Sequence, residues 1–316
     1  MERLGKSFIE DLLMIKKILI TDFILILSIN LYSNKPFVII YPTSPKKGET
    51  IFLDIVSLPK TKIIIDSFSN MEIKPIKISD SHKLAMIPVD IEYPKDEITF
   101  TIEIENQEKY SYSVKLEEPV VRERNLIVKK KKIKTILSES EKKELLREAI
   151  LVSKARKVFT ENLYINGSFI YPVKEIRNQD LYFGDLRKII FGDGEKKQYH
   201  RGIDFGAPWG TKVYAPNNGR VIIADNFKTR GKTIIIDHGY GILTEYLHLS
   251  IIRVRKGQYV KKGQLIGNIG STGFSTGPHL HWSFLVNGVL VNPLQWTTPI
   301  IAEIFKNGFN ILGLKD

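Results

Sequence analysis

Residues 260–284 read VKKGQLIGNIGSTGFSTGPHLHWSF. The fold turns on how the end of that stretch is taken. Leu280-His281-Trp282-Ser283-Phe284-Leu285 is a strand candidate, and on a strand the side-chain period is two. His279 and His281 therefore share one face while Leu280 points to the other. The glycine-rich approach from Gly273 to Pro278 opens that face so that an ion can be chelated there. Taken alone, His-x-His is also the pattern of two incidental strand histidines.

Working outward, the flanking sequence is glycine-punctuated β structure. Thr211–Tyr214, Arg220–Ala224, Thr233–Ile236, Leu243–Leu247 and Gln264–Gly267 are strand candidates, with Gly219, Gly239, Gly241, Gly263 and Gly270 supplying turns. The region from 159 to 298 thus predicts a predominantly antiparallel β domain. Five of the six histidines fall between positions 200 and 281, and the chain has no cysteine. That absence excludes disulfide frameworks, thiolate zinc fingers, iron–sulfur clusters and cysteine nucleophiles.

Two further elements carry candidate chemistry. In His200-Arg201-Gly202-Ile203-Asp204 a fully extended chain would hold positions 200 and 204 about 13 Å apart, too far to share an ion. Gly202 lets the chain bend so that imidazole and carboxylate converge, with Arg201 beside them to orient a carboxylate or meet substrate charge. A hydrogen-bonded His and Asp in a turn is the alternative. In Tyr246-Leu247-His248-Leu249 period two predicts Tyr246 and His248 on the same face, near the site, with Tyr246 a candidate substrate contact. His238, ending the preceding strand, reads as structural or as a rim residue.

Together these elements describe one device. Zinc takes tetrahedral N/O ligands, and a catalytic site keeps three protein ligands plus a water. His200, Asp204 and His281 supply that number for one zinc ion per chain. No His-Glu-x-x-His is present, so the proton acceptor falls to His248 and His279, whose imidazoles titrate near neutrality.

At these residues the chain resembles the lysostaphin-type, or LytM-type, zinc metalloendopeptidases that cut peptide bridges in bacterial cell walls. The resemblance covers about 183–293. It rests on Phe183-Gly184, HRGIDFGAPWGTKVYAPNNGRV at 200–221, IIIDHGYGILTEYLHLS at 234–250, the stretch 260–284 and Val291-Asn292-Pro293. It implies an antiparallel β fold with a groove and zinc ligands His200, Asp204 and His281. The catalytic pair it implies is His248 and His279, acting on the water and stabilising the transition state, with peptidoglycan as the substrate. Family members often carry Arg-Arg soon after Ser-x-Phe-Gly. Here Tyr182-Phe183-Gly184-Asp185-Leu186-Arg187 has one Arg and no Ser, a departure that bears on the groove rather than the metal site. Relatives that have lost zinc ligands activate wall amidases, so a non-catalytic regulator is the rival reading, yet no ligand is missing here. GQYVKKGQLIGNIG at 257–270 is similar to half of a biotinyl or lipoyl carrier, without the modifiable lysine on a hairpin tip.

The rest of the chain sets the context. With 316 residues and a hydrophobic fraction of 43%, it has room for two cores. Residues 36–118 alternate as short strands, among them Ile51–Val56, Lys62–Ile65, Thr99–Glu105 and Tyr110–Leu116, and predict a small accessory β-sandwich. His82 reads as an exposed turn residue. Residues 119–158 combine a basic linker, Lys129–Lys134, with one helix from about 139 to 157. That helix opens on a Ser138…Glu141 capping box and carries Leu145, Leu146, Ala149, Ile150 and Val152 or Ser153 at helical spacing. Residues 299–316 are a C-terminal extension.

At the other end, Ile18–Tyr32 is apolar apart from Thr21, Asp22, Ser28 and Asn30, and follows Lys16-Lys17. Residues 1–35 therefore read as a signal peptide or membrane anchor, more compact if translation starts at Met14. An exported protein of the cell envelope is expected, periplasmic, anchored or secreted. The net charge of +12 favours anionic wall polymer or a membrane surface as partner. No stacking aromatics accompany the lysines, so nucleic acid is not expected.

Overall fold

Apolar runs broken by turns make the first part of the chain β structure. The computed structural model describes residues 25–26, 37–56, 61–65, 71–78, 82–104, 109–127, 138–174, 178–180, 182–191 and 194–307. Strands β1 (Phe37–Tyr41), β2 (Thr50–Val56), β3 (Thr61–Ile65), β4 (His82–Pro88), β5 (Glu97–Ile104) and β6 (Lys109–Lys115) build two antiparallel sheets. One runs Leu25–Ile26, β1, β2, β4, Ile76–Lys77, and the other Met71–Ile73, β3, β5, β6. Val38, Ile40, Ile51, Leu53, Ile55, Ala85 and Ile87 of the first share a core with Ile98, Phe100, Ile102, Tyr112 and Val114 of the second.

The alternate residues of the first sheet have a different destination. Ile39, Phe52, Leu84 and Met86 belong to the same buried cluster as Phe169, Trp282, Phe284 and Trp296 of the C-terminal half. Phe52 meets Trp296 at 5.2 Å between ring centroids, and Gln295 Nε2 donates to the Thr50 carbonyl at 2.8 Å. Covered on both faces, β2 reads TIFLDIV, nearly continuously apolar as a fully buried strand must be. His82 corrects the exposed-turn expectation. It is 9% exposed, and its Nδ1 stands 3.5 Å from Oδ1 of the fully buried Asp54.

Helix α1 (Glu139–Arg156) carries the expected capping box: Ser138 Oγ accepts from Glu141 N at 3.2 Å, and Glu141 Oε2 accepts from Ser138 N at 2.9 Å. Its buried face shares Val152 with the expected apolar stripe and otherwise differs from it. Glu148, Val152 and Ala155 are buried, whereas Leu146 and Ile150 are 61% and 45% exposed. Val152 and Ala155 lie on Ile223, Phe227, Ile235, Leu243 and Leu285 of the C-terminal sheet. Glu148 is drawn in by a turn whose amides need an acceptor.

Strand β7 (Leu186–Phe191) pairs with Glu123–Ile127 on one edge and with β8 (Gly194–Tyr199) on the other, and β8 feeds the chain into His200. The main sheet has ten strands. Its centre comprises β9 (Ile203–Gly206), β10 (Gly219–Phe227), β11 (Gly231–Gly239), β12 (Ile242–Ile252), β13 (Leu265–Ile269) and β14 (His279–Val286), with spatial order β9, β14, β12, β11, β10 and with β13 beside β12. A final helix, α2 (Pro299–Asn307), buries Ile301 and Ile304 against the core of this sheet. The fold is mainly β, as the alternation predicted. No helix among the described residues is long and apolar enough to cross a membrane. Most of residues 1–35, the Lys129–Lys134 cluster and residues 308–316 lie outside the described residues.

Candidate active site

Strand register brings the distant residues together. On β14, Leu280, Trp282 and Phe284 are fully buried in the core, so His279, His281 and Ser283 face the other way. β9 pairs antiparallel with β14, setting Asp204 opposite His281. β12 flanks the other edge, setting Leu247 opposite His281 and Glu245 opposite Ser283. His200 sits just before β9, fixed by His200 N donating to Asp185 O at 2.8 Å and Gly184 N to His200 O at 2.9 Å. Gly202 supplies space more than a bend: a Cβ there would lie 2.6 Å from the His281 ring and 2.8 Å from Ser283 Oγ.

His200, Asp204 and His281 converge as the sequence predicted. His200 Nε2 and His281 Nδ1 are 3.0 Å apart, His281 Nδ1 and Asp204 Oδ1 2.9 Å, and His200 Nε2 and Asp204 Oδ1 3.2 Å. Tautomer logic shows what this cluster lacks. The single proton of Ser283 Oγ goes to the Arg201 carbonyl at 3.0 Å, so at 2.8 Å that oxygen accepts from His281 Nε2–H. Neutral His281 then turns a bare Nδ1 toward a carboxylate oxygen and a second imidazole, an arrangement of converging lone pairs that suits a cation between them. Ligand atoms about 2.0–2.1 Å from a tetrahedral ion lie roughly 3.3–3.4 Å from one another, close to the separations found. The residues present fit a divalent metal ion.

Segment 198–293 matches the model of peptidase family M23. These residues form an M23 domain. Over 107 residues the chain is 44% identical to the peptidoglycan DD-endopeptidase ShyA of Vibrio cholerae, covering 34% of this chain and 25% of that protein. It is 42% identical over 112 residues to the DD-carboxypeptidase/endopeptidase Mpg of Neisseria meningitidis, covering 35% and 26%. The match thus spans about a quarter of the length of these relatives. A crystal structure of a Pseudomonas aeruginosa chain described as a peptidase M23 superposes with a TM-score of 0.55 at 21% identity, covering 81% of this chain and 95% of that one, a likeness of fold.

Within the M23 domain the two remaining histidines flank the cluster. Their rings are 4.9 Å apart, and His248 is 6.4 Å from His281. The Thr272 carbonyl accepts from His248 Nδ1 at 2.8 Å, and the Gly277 carbonyl accepts from His279 Nδ1 at 2.8 Å. A carbonyl only accepts, so both rings carry hydrogen on Nδ1 and present a bare Nε2. Burial pushes His248 down to about 4, with the Thr272 hydrogen bond opposing, so the ring is neutral over the physiological range. Burial alone would raise the Asp204 carboxyl, but its close contacts with His200 and His281 outweigh it and hold it well below the usual range.

His248 is not where simple alternation puts it. Its φ is +64°, a left-handed twist that swings it to the same face as Leu247, while Tyr246 keeps the core face opposite Trp282. The expectation of Tyr246 as a substrate residue is therefore corrected. It is fully buried, shares a hydrogen bond with Thr244 Oγ1 at 2.8 Å and has no route to a ligand. His238 is structural: fully buried, 2.6 Å from the Asn218 carbonyl and 2.8 Å from Thr244 Oγ1. Arg201 does line the groove, but its guanidinium pairs with Asp90 at 2.6 Å and with Glu92.

Several residues that shape the site escaped the sequence. Arg187 donates to Asp204 Oδ2 at 2.6 Å, fixing the carboxylate so that Oδ1 faces the cluster. Ser283 orients His281. Glu148 of α1 accepts from Thr229 N at 3.0 Å, Arg230 N at 3.2 Å and the Thr229 hydroxyl. That turn in turn holds the catalytic side: His248 N donates to Arg230 O at 3.0 Å and Phe274 N to Thr229 O at 2.7 Å. The signal available for Ser283 was its period-two offset from His281. Arg187 and Glu148 had none, because their partners are remote in sequence.

Proposed function

We propose that this chain is an exported zinc-dependent endopeptidase that hydrolyses peptide bonds in the stem peptides or cross-links of peptidoglycan. The observation that carries the reading is the convergence of His200 Nε2, Asp204 Oδ1 and His281 Nδ1, with the His248 and His279 rings beside them and a groove of about 570 Å³ lined by His200, His248 and His281. These three atoms would hold the ion. When bound, zinc supplies Lewis acidity, lowering the pKa of water toward ~7 and polarising a carbonyl. The other steps belong to side chains. Nε2 of His248 and Nε2 of His279 take the water's proton and return it to the leaving amine, each ring fixed by a carbonyl at its Nδ1. Arg187 keeps Asp204 ionised and aimed.

Peptidoglycan as substrate is supported by the names of the relatives that match the M23 domain, and export by the Ile18–Tyr32 segment. A non-catalytic regulator of a wall amidase is not favoured, because ligand set and histidine pair are both complete. Digestion of purified sacculi with and without chelator, with mass analysis of the released muropeptides, tests the proposal. New peptide termini that appear only without chelator are expected. Unchanged sacculi under metal-replete conditions would refute it.

A further inference from the structure

The groove continues beyond the three-residue cluster to a pair of arginines. Arg156, in the last turn of α1, and Arg230, in the turn between β10 and β11, line it together with His248 and His281. Both grip the carboxylate of Glu245, which is fully buried. Arg156 donates from Nε and Nη2 at 2.7 Å each, and Arg230 from Nη1 at 3.0 Å. Charge from Arg230 and bonds from Arg156 override the upward pull of burial and hold Glu245 down at about 2.

A guanidinium has five N–H donors. Arg156 has therefore used two of them and Arg230 one, and Arg230 Nε stands 4.0 Å from Glu148, beyond hydrogen-bond reach. The side chains are only 25% and 20% exposed, and both line the groove with donors to spare. The opposite wall adds Lys196 and Lys197 of β8, both exposed and, among the described residues, without an ion-pair partner. The lining holds six Lys and Arg side chains against two carboxylates, Glu92 and Glu245.

A neutral glycine-rich segment lying here would strip water from these donors and offer few acceptors in return, a cost of about 1–3 kcal/mol per unmatched group. A carboxylate matches them, and arginine's fork suits it. Building on the peptidase reading above, we infer that Arg156 and Arg230 form a carboxylate-binding subsite, and that the peptide cut carries a free carboxylate close to the scissile bond. Glu245 lies opposite Ser283, and Ser283 is two residues from His281. The subsite is thus about 7 Å along the strand from the cluster, one or two residues of extended peptide. Arg156 comes from outside the 198–293 segment, so the upstream helix contributes a specificity-determining residue to the M23 domain.

The test uses the full chain, zinc-loaded, and two synthetic cross-linked peptide dimers that differ only at the carboxyl group beside the scissile bond, free in one and carboxamide in the other. The free acid is expected to be cut with at least tenfold higher kcat/KM. Arg156→Gln should bring the two peptides close together by raising KM for the acid several-fold more than for the amide. Equal kcat/KM for both peptides on the unaltered chain overturns the subsite while leaving the peptidase reading intact, and needs no variant to fold. An equal loss on both peptides in Arg156→Gln overturns it too, since that is what a purely structural arginine gives. Cleavage of neither peptide overturns the peptidase reading and the subsite with it.

Discussion

One face of the main sheet carries two different surfaces side by side. Under α1, strands β10, β11, β12 and β14 present Ile223, Phe227, Ile235, Leu243 and Leu285 to Val152 and Ala155. A residue or two further along, β12 and β14 present Glu245, Leu247, His248, His279, His281 and Ser283, and no helix covers them. Glu245 stands at the border, fully buried yet tied to the Arg156 of the covering helix. The strands' opposite face is packed into the core, with Tyr246, Leu280, Trp282 and Phe284 all buried and Thr244 bonded to His238 and Tyr246. The contrast teaches that one strand serves stability where it is covered and chemistry where the cover stops, with the helix end as the boundary.

The sharpest break of that contrast is on the uncovered side. His281→Ala removes an atom of the cluster, and both metal binding and hydrolysis should disappear, as read by elemental analysis and by peptide release. His248→Ala and His279→Ala should keep the metal and lose turnover by roughly 10²–10⁴-fold, the range for a lost general acid–base group. Full activity in either variant would remove the role given to that ring.

On the covered side the same kind of change should act on stability. Val152→Asp places an unpaired charge among Ile235, Leu243 and Leu285 and should cost about 3 kcal/mol or more, read as a lower denaturation midpoint. Glu148→Ala strips the acceptor from the Thr229 and Arg230 amides and should cost roughly 1–3 kcal/mol. Because that turn receives the His248 amide, kcat should fall as well with KM little changed. A purely stability-based defect would argue that the helix only shields.

The smallest effect expected is with pH. Burial pushes His238 down to about 4, with the Asn218 carbonyl opposing. Its folded pKa lies below the unfolded value near 6.5, so the unfolded chain binds the extra proton between the two. Its contribution is complete above about pH 6.5 and is lost as pH falls toward about 4, at most roughly 3 kcal/mol. Urea midpoints at pH 7 and pH 4.5 measure the slope, and His238→Asn should make it shallower, with His248, also held at about 4 by burial, among the groups that supply the remainder.

Much of this was legible in the sequence, for a physical reason. Strand periodicity is local, so the side shared by His279 and His281 follows from two residues' spacing, and the capping box placed the start of α1 at Glu139. Legibility fails where backbone conformation or remote partners decide. Nothing in Tyr246-Leu247-His248 announces a φ of +64°, so alternation sends Tyr246 to the groove when it belongs to the core. Of the packing stripe expected on α1, Val152 is buried but Leu145, Leu146, Ala149 and Ile150 are not. The buried polar Glu148 replaces them there because the Thr229–Arg230 amides, some eighty residues later, need an acceptor. His82 reads as a turn residue until β2 supplies Asp54. The continuous apolar run of β2 did carry a signal that its sheet is covered twice, by its own partner sheet and by Trp296.

Equilibrium dialysis of the full chain against zinc, read by elemental analysis, tests the central claim most directly. One zinc per chain is expected, falling to none in His281→Ala at the same free concentration. Retention of stoichiometric zinc by His281→Ala, or no zinc in the unaltered chain, would contradict the account.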